Sequence, residues 1–257
     1  MGFYAVDLFD CPPFRMFTAD DCIVAEYIIR QRSFEPMSMR VWCALARPAT
    51  GIIDVGANVG IYTMAAAALR DDIVIHAFEP NPHAHARLRV NARINKFSNI
   101  AGYPFALAES VRVDRLSWLH KGGTHISSGG TLGRTSYEHC ETIPCDVRPL
   151  DTLPISVGER GLVKIDAEGA EQVVIFGMSK VLAEKPDIII ESFSSEACRL
   201  IMKRISPLGY RIYAIDESAM TLREMPALMP AVKSSRSFNR LLTVRDRSDG
   251  VLKQFSS

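Results

Sequence analysis

The sequence predicts an α/β fold of the doubly wound, Rossmann-like kind, with a mostly parallel sheet and helices on both faces. From about residue 48, short apolar runs alternate with longer segments of helical periodicity. Glycine and proline stand at the junctions between these segments. The chain of 257 residues is 47% hydrophobic and 23% charged, which is ample for one large buried core.

The first strand and helix flank a glycine-containing turn. Gly51–Val55 is a short apolar run that suits a buried parallel strand. After Gly60, apolar residues recur at the spacing of one helical face, and this predicts an amphipathic helix. These apolar residues are Ile61, Met64, Ala65, Ala68 and Leu69.

The second unit repeats this order. Residues 73–78 form an apolar run that predicts the second strand, and it ends at Glu79. Asn81 is a suitable N-cap and Pro82 a suitable first residue for a helix that runs to about Asn95. A third strand is predicted near residues 100–106.

Residues 109–150 interrupt the alternation. Val111, Val113 and Leu116 alternate with polar residues and predict a strand, and residues 142–147 predict a returning strand. Between them lies a loop rich in glycine, serine and histidine at 122–130. We therefore expect a β-hairpin insertion in the sheet.

The α/β order then resumes and continues almost to the end of the chain. Our domain division places an N-terminal cap on the substrate side at residues 1–47, containing a strand pair and a short helix, and the main domain at residues 48–257. The predicted later elements are strands at 162–166 and 187–191, helices at 173–182 and 196–205, and final strands at 210–215 and 239–244.

Charge and cysteine content limit the classes of partner. Thirty basic against twenty-nine acidic residues give a net charge of +1, which argues against a nucleic-acid partner. The six cysteines have no zinc-binding spacing and indicate free thiols in a reducing compartment. With no signal peptide or apolar run long enough for a bilayer, we expect a cytoplasmic protein without a membrane partner.

The turn after the first strand indicates the cofactor. Its pattern places Asp54 two residues before Gly56, and Asn58 where a dinucleotide-binding G-x-G-x-x-G turn has its middle glycine. A carboxylate there would repel a pyrophosphate but suits the ammonium and sulfonium of S-adenosylmethionine. Gly56 and Gly60 allow close approach of the backbone. The turn therefore predicts S-adenosylmethionine as cofactor and S-adenosylhomocysteine as its product.

Glu79, at the end of the second strand, is placed to accept hydrogen bonds from the two hydroxyls of a ribose. Such an acid serves NAD equally well, so Glu79 predicts an adenosine ligand and the turn decides which one. The predicted cofactor site consists of Asp54, Gly56, Ala57, Asn58, Gly60, Glu79, Pro80, Asn81 and Ala106.

Several separated motifs resemble the FkbM family of S-adenosylmethionine-dependent methyltransferases. They cover roughly residues 34–193 and comprise Phe34-Glu35-Pro36, Asp54–Gly60, Phe78-Glu79-Pro80, Leu150–Leu153 and Leu162–Glu171. The resemblance implies the class I methyltransferase fold, with a seven-stranded, mostly parallel sheet whose last strand is antiparallel. It also implies O-methylation of hydroxyls on small natural products or sugars.

Acidic residues at strand ends are the first candidates for catalysis. Asp166 and Glu168 follow the fourth strand of the α/β alternation and Glu191 ends the fifth, where catalytic groups lie in open α/β sheets. One carboxylate could act as general base, or the acids could hold Mg²⁺, although we do not predict a metal site. Alternatively, Glu168 and Glu171 could interact with the N-terminus of the next helix.

His125, in the glycine- and serine-rich loop, is a further candidate base because imidazole titrates near neutral pH. The expected acceptor is a small molecule or a carrier-bound intermediate. An N-methyltransferase acting on a peptide or RNA, and a non-catalytic S-adenosylmethionine-binding protein, are the alternatives. The sequence does not indicate the oligomeric state, and it leaves undecided whether the protein is a homodimer.

Overall fold

The N-terminal segment of this computed structural model contains a strand pair, as expected, and two helices where one was predicted. The second helix begins at Pro36, a residue suited to the first helical turn. The elements are β1 (Gly2–Val6), β2 (Phe14–Thr18), α1 (Ile23–Gln31) and α2 (Pro36–Ala46), with β1 and β2 antiparallel. The structure describes residues 2–7, 11–19, 22–119, 130–133, 140–231, 237–246 and 248–255.

The two βα units that follow agree closely with the sequence patterns. The Asn81 side chain accepts hydrogen bonds from the backbone N–H groups of His83 and Ala84, and this confirms it as an N-cap. The elements are β3 (Gly51–Val55), α3 (Ile61–Leu69), β4 (Ile75–Phe78), α4 (Pro82–Ile94) and β5 (Ile100–Tyr103).

The third predicted strand, 100–106, is two strands. Pro104 lacks the N–H group needed to continue a ladder, and after it the chain leaves the main sheet for a smaller one. The β-hairpin predicted for the insertion is confirmed by the antiparallel pairing of β7 with β9. The four strands of this smaller sheet are β6 (Ala106–Leu107), β7 (Arg112–Leu119), β8 (Gly130–Leu132) and β9 (Cys140–Arg148).

The single helix predicted over residues 173–182 is wrong: two short helices meet near Gly177. A Cβ atom on Gly177 would lie 2.0 Å from the carbonyl oxygen of Ala108, so the chain turns where another segment crosses it closely. The elements of this half are β10 (Gly161–Ile165), α5 (Glu171–Phe176), α6 (Ser179–Ala183), β11 (Asp187–Glu191), α7 (Ser195–Ile205), β12 (Arg211–Asp216), β13 (Thr221–Met225), β14 (Asn239–Thr243) and α8 (Gly250–Lys253).

The main sheet has eight strands in the order β13-β12-β14-β11-β10-β3-β4-β5. The strands from β11 to β5 are parallel to one another, whereas β14 is antiparallel to both β11 and β12. The seven strands expected from the sequence must therefore be corrected to eight, in a mixed sheet. The additional strand is β13, which turns back on β12 as an antiparallel edge strand.

Helices cover both faces of this sheet. Strand side chains alternate between the faces, so that Ile52 and Ile189 pack against α2 and α3, whereas Ile53 and Ile188 pack with residues of α5, α6 and α7. The α2 residue Trp42 lies in the first of these clusters and is fully buried. Part of the N-terminal segment is therefore continuous with the core of the sheet.

The N-terminal hairpin is attached to α4 by asparagine side chains. Asn91 is buried, accepts a hydrogen bond from the N–H of Phe17 in β2 and donates one to the carbonyl of Val59. Asn95 bonds both the N–H and the carbonyl of Arg15. The hairpin is therefore linked through α4 to the loop that follows β3. Each helix in the described ranges is too short or too polar to cross a bilayer.

Candidate functional site

The parallel strands β3, β4, β10 and β11 end at one edge of the sheet, and a cavity of about 670 Å³ lies there. Most of the residues singled out from the sequence meet in its lining. The predicted residues in this lining are Asp54, Gly56, Ala57, Asn58, Glu79, Pro80, Asn81, Ala106, Asp166, Glu168 and Glu191.

The turn after β3 requires glycine at position 56. Gly56 has a φ of +76°, and a Cβ atom there would lie 1.7 Å from the carbonyl oxygen of Asp166. The N–H groups of Gly56 and Ala57 both donate to the carbonyl of Phe78. Gly60 has a φ of +92° at the start of α3 and lies outside the lining of the cavity. The turn is thus held between the ends of β4 and β10.

Asn58 lines the cavity and carries an unpaired acceptor. It adopts a left-handed conformation with a φ of 50°, which asparagine tolerates better than most residues. Its Oδ1 atom is buried and has no hydrogen-bond partner among the described residues. Because buried acceptors are normally satisfied, this atom fits a ligand that brings a donor, such as the ammonium of S-adenosylmethionine.

Glu79 is held by the backbone on both of its carboxylate oxygens. Oε2 accepts from the N–H of Asn58 and Oε1 from the N–H of Asn81, each at 2.7 Å. Each carboxylate oxygen can accept more than one hydrogen bond, so this arrangement leaves acceptor capacity for a ribose diol. Burial raises the pKa of Glu79 to about 7, so the carboxylate lies near its titration midpoint at neutral pH.

Asp54 lies deeper, at the base of the same turn. Its Oδ2 atom accepts a hydrogen bond of 2.5 Å from the Thr63 hydroxyl. Burial raises the pKa of Asp54 to about 6, against the opposing effects of the Thr63 hydrogen bond and of Lys164. A cationic ligand beside this carboxylate would favour its ionised form.

A row of charged groups crosses the strands next to the turn. Asp54 and Lys164 are register partners on β3 and β10, and Lys164 and Asp166 point to the same face. The Lys164 Nζ atom lies 3.3 Å from Asp166 Oδ2. Burial alone would lower the pKa of Lys164, but the carboxylates of Asp166, Glu35, Glu191 and Asp54 outweigh it, and the pKa lies above its ordinary value.

The two remaining strand-end acids have raised pKa values. Burial, followed by the charge of Asp166, raises the pKa of Glu191. The same two causes raise the pKa of Glu168 to about 8. Burial also raises the pKa of Glu171, but the Oε1 atom of this residue accepts from the N–H groups of Ala167 and Gly169 in the loop before α5. Glu171 therefore stabilises the loop before its own helix.

The structure adds cavity residues to which the sequence analysis assigned no function, namely Glu35, Tyr62, Lys164 and Glu217. The Tyr62 hydroxyl donates to Glu35 Oε2 at 2.5 Å. The Glu217 carboxylate accepts from the N–H of Met37 at the start of α2, at 2.7 Å. The sequence contained one signal for these residues: Lys164 is a lysine within an apolar strand, two residues before Asp166.

His125 lies outside the described residues, so its prediction as a base stays a prediction. In the described part of the chain, no group of three or more histidine, cysteine, aspartate or glutamate residues is arranged to hold a metal ion.

Comparisons with known proteins agree with this geometry. The model of the methyltransferase FkbM domain matches residues 54–212. The 31-O-demethyl-FK506 methyltransferase FkbM of Streptomyces tacrolimicus is 44% identical in an alignment 176 residues long. The match covers 55% of this chain and 67% of that protein. The crystal structure of a methyltransferase FkbM from Methylobacillus flagellatus KT has a TM-score of 0.50 at 16% identity.

The match to the crystal structure covers 76% of this chain but 43% of that one, and at this identity it shows the fold alone. The fold is that of a class I methyltransferase, with a mixed central sheet between helices. The domain match covers more than half of the chain and includes the turn after β3 and the acids after β10. The chain belongs to the FkbM family of S-adenosylmethionine-dependent methyltransferases.

Proposed function

We propose that this protein transfers a methyl group from S-adenosylmethionine to a hydroxyl oxygen of a small molecule or a carrier-bound intermediate. The observation that carries the proposal is the row of strand-end carboxyl groups, Asp166, Glu168 and Glu191, which shares one cavity with the turn after β3. A hydroxyl must lose its proton when it is methylated, and carboxylates in such a position can accept it.

The residues of the turn fit the cofactor. Asn58 Oδ1 and the Asp54 carboxylate would face its ammonium group, and the Glu79 carboxylate would accept from its ribose hydroxyls. Ala106, in the lining next to Phe105 and Leu107, would contact the adenine. When bound, S-adenosylmethionine supplies a methyl group activated by a sulfonium, and its transfer leaves S-adenosylhomocysteine.

The rest of the lining favours a neutral acceptor with apolar surface. Beyond the cofactor turn the described lining is largely aromatic, aliphatic or acidic, and Lys164 is its single basic residue. A phosphate-rich acceptor such as RNA would meet carboxylates with few cations to offset them. The apolar and aromatic residues on this side are Val24, Tyr27, Phe34, Leu116, Leu132 and Phe238.

The name of the curated relative supports oxygen as the methylated atom. That protein is described as a methyltransferase of 31-O-demethyl-FK506, a compound named for a missing O-methyl group. The acceptor of the present chain need not be the same compound, because the two sequences differ at more than half of the aligned positions.

In the reaction, the residues of the chain align the acceptor and remove its proton. The apolar walls would hold the acceptor so that its oxygen lies in line with the transferred methyl group. The hydroxyl proton passes to a strand-end carboxylate as the new oxygen–carbon bond forms. Because Glu35 and Tyr62 hydrogen-bond each other beside this row, they would limit how far the acceptor enters.

The test is methylation with isotopically labelled S-adenosylmethionine. Purified protein would be incubated with a panel of neutral hydroxylated compounds and, separately, with RNA, peptides and a carrier-bound hydroxy acid. We expect label in a hydroxylated compound or the carrier-bound acid, as an alkali-stable ether. An Asp54→Ala, Glu79→Ala double variant serves as control. Label found only on nitrogen of peptide or RNA, or cofactor binding without transfer to any of these, would contradict the proposal.

A further inference from the structure

The ends of β10 and β11 place two acidic residues on neighbouring strands. Ile165 and Ile190 are register partners on these parallel strands, so the residues that follow them, Asp166 and Glu191, lie side by side. Both side chains point to the same face of the sheet and line the cavity, which brings their carboxyl groups close together. Two ionised carboxylates repel at this distance, and a hydrogen bond between them requires that one carries a proton.

Lys164 makes the pair asymmetric. Its ammonium forms an ion pair with Asp166 at 3.3 Å and, among the described residues, none with Glu191. Lys164 is 1% exposed and Glu191 8% exposed, whereas 29% of the Asp166 side chain is exposed, so water stabilises a charge on Asp166 better than one on Glu191. A cation next to one member of the pair stabilises the ionised form of that member.

Other titratable groups surround the pair, and apart from Lys164 none of those in the described lining is basic. Tyr62 places its ring 5.1 Å from the Lys164 ammonium and its hydroxyl on Glu35. Because Lys164 is the single cation that lines this part of the described cavity, the excess of acids favours retention of a proton. The groups facing the pair are Asp54 on β3, Glu35 before α2, Tyr62 on α3, Glu168 after β10 and Glu217 after β12.

We propose that Glu191 is a protonated acid that donates a hydrogen bond to Asp166, that Lys164 fixes this arrangement, and that Asp166 is the carboxylate that accepts the acceptor's proton. Lys164 and Glu191 are then positioning residues, and Asp166 is the catalytic one. The protonation of the pair follows from its geometry, whereas the role of Asp166 as base rests on the proposed function.

This arrangement has a consequence for the reaction. The hydrogen bond from Glu191 and the ion pair with Lys164 hold the Asp166 carboxylate in one orientation. When the acceptor oxygen forms its bond to the methyl carbon, its proton moves to Asp166. The positive charge lost from the sulfonium and the proton gained by Asp166 leave the net charge of the cavity unchanged until the products depart.

The protonation states can be measured without an acceptor. Protein labelled with ¹³C at aspartate and glutamate carboxyl carbons would be titrated by NMR with S-adenosylhomocysteine bound, and the two signals assigned from Asp166→Asn and Glu191→Gln. At pH 7 we expect the Glu191 signal at its protonated position. An ionised Glu191 at pH 7 would overturn the proposal.

Substitutions of Lys164 test whether its charge fixes the arrangement of Asp166 and Glu191. With a methylated compound in hand, Lys164→Met should lower kcat toward that of Asp166→Asn, whereas Lys164→Arg, which keeps the charge, should not. If Lys164→Met does not fold, Lys164→Arg still decides, because a Lys164→Arg variant as inactive as Asp166→Asn would contradict the part assigned to the lysine charge.

Activity provides a separate measurement once a methylated compound is known. Glu191→Gln should retain at least a tenth of kcat, since a neutral amide can also donate to Asp166, and should alter the alkaline limb of the pH profile. Asp166→Asn should lower kcat at least a hundredfold with little change in S-adenosylhomocysteine affinity. A Glu191→Gln variant as inactive as Asp166→Asn would contradict the positioning role. If no compound is methylated, the proposed function fails but the NMR result stands.

Discussion

The Glu79 carboxylate accepts a hydrogen bond of 2.7 Å from the backbone N–H of Asn58, and this bond ties the turn after β3 to the end of β4. Its other oxygen accepts from the N–H of Asn81 at 2.7 Å. The residue predicted to bind ribose therefore also orders the loop predicted to bind the methionine part of the cofactor. Both halves of the proposed cofactor site depend on one side chain.

Substitution of Glu79 should therefore weaken cofactor binding strongly. In Glu79→Gln, an amide NH₂ group would replace one of the two oxygens that accept from a backbone N–H. The hydrogen bonds from the ribose would also lose their charged acceptor. Hydrogen bonds to charged groups contribute about 1.5–3 kcal/mol each, which corresponds to a loss of affinity of more than tenfold. Calorimetric titration with S-adenosylhomocysteine would measure it.

The control for this experiment is Glu159→Gln, in an exposed loop before β10. It should bind S-adenosylhomocysteine like the wild type. A Glu79→Gln affinity within threefold of wild type would show that the ribose is bound elsewhere.

Gly56→Ala should destabilise the fold, because the added Cβ atom would lie 1.7 Å from the carbonyl oxygen of Asp166. Neither the turn nor the end of β10 can move without breaking the pairing of β3 with β10. Gly209→Ala is a matched control, since Gly209 also has a positive φ, +81°, but no atom lies within 4 Å of its added Cβ.

For Gly209→Ala we expect a loss of about 1–2 kcal/mol, the cost of a left-handed conformation in a residue with a side chain. For Gly56→Ala we expect at least twice that loss, with S-adenosylhomocysteine binding impaired. Urea denaturation measures both. Equal losses in the two variants would mean that the backbone conformation, and not the close approach, determines the need for glycine.

Asn91→Ala should loosen the attachment of the N-terminal hairpin. The substitution leaves the N–H of Phe17 and the carbonyl of Val59 without their partner, in a place where Asn91 itself is 0% exposed. Each buried group left unsatisfied costs about 1–3 kcal/mol. We expect a lower free energy of unfolding in urea by about 2 kcal/mol or more.

Asn95→Ala provides the comparison, because its bonds to Arg15 are exposed and water can replace them. Its loss should be smaller than that of Asn91→Ala. The reverse order would show that the hairpin is held mainly at its outer end.

The sequence brought the residues of the predicted cofactor site together because these residues belong to local segments of the chain. The turn from Asp54 to Gly60 lies between one strand and one helix, and its chemistry can be read from consecutive residues. Glu79 follows the next strand, and the ends of neighbouring parallel strands meet at one edge. The strand at Gly51–Val55 and the N-cap at Asn81 were found in the same way.

Other contacts beside the cavity join distant parts of the chain, and the sequence did not predict these contacts. Glu35 meets Tyr62 and Asn239 only because α2, α3 and β14 pack at one edge of the sheet. Likewise, the break at Gly177 depends on the carbonyl of Ala108, which belongs to the segment after β6. Neither contact leaves a periodic signal in the residues that make it.

Glu168 should make the stability of the cofactor-free protein depend on pH. Burial raises its pKa from the ordinary value of 4.5 to about 8. The folded protein therefore keeps a proton that the unfolded chain has already released, and the stabilisation from this group decreases as pH rises from about 4.5 to 8.

Urea midpoints of the wild type at pH 6 and pH 9 should thus differ more than those of Glu168→Gln, which does not titrate. Glu159→Gln changes an exposed residue, and its urea midpoints at the two pH values should differ as much as those of the wild type. If the decrease between the two pH values is the same in Glu168→Gln as in the wild type, the Glu168 carboxyl is already ionised in the folded protein at pH 6. It would then be a stronger competitor of Asp166 for the role of base.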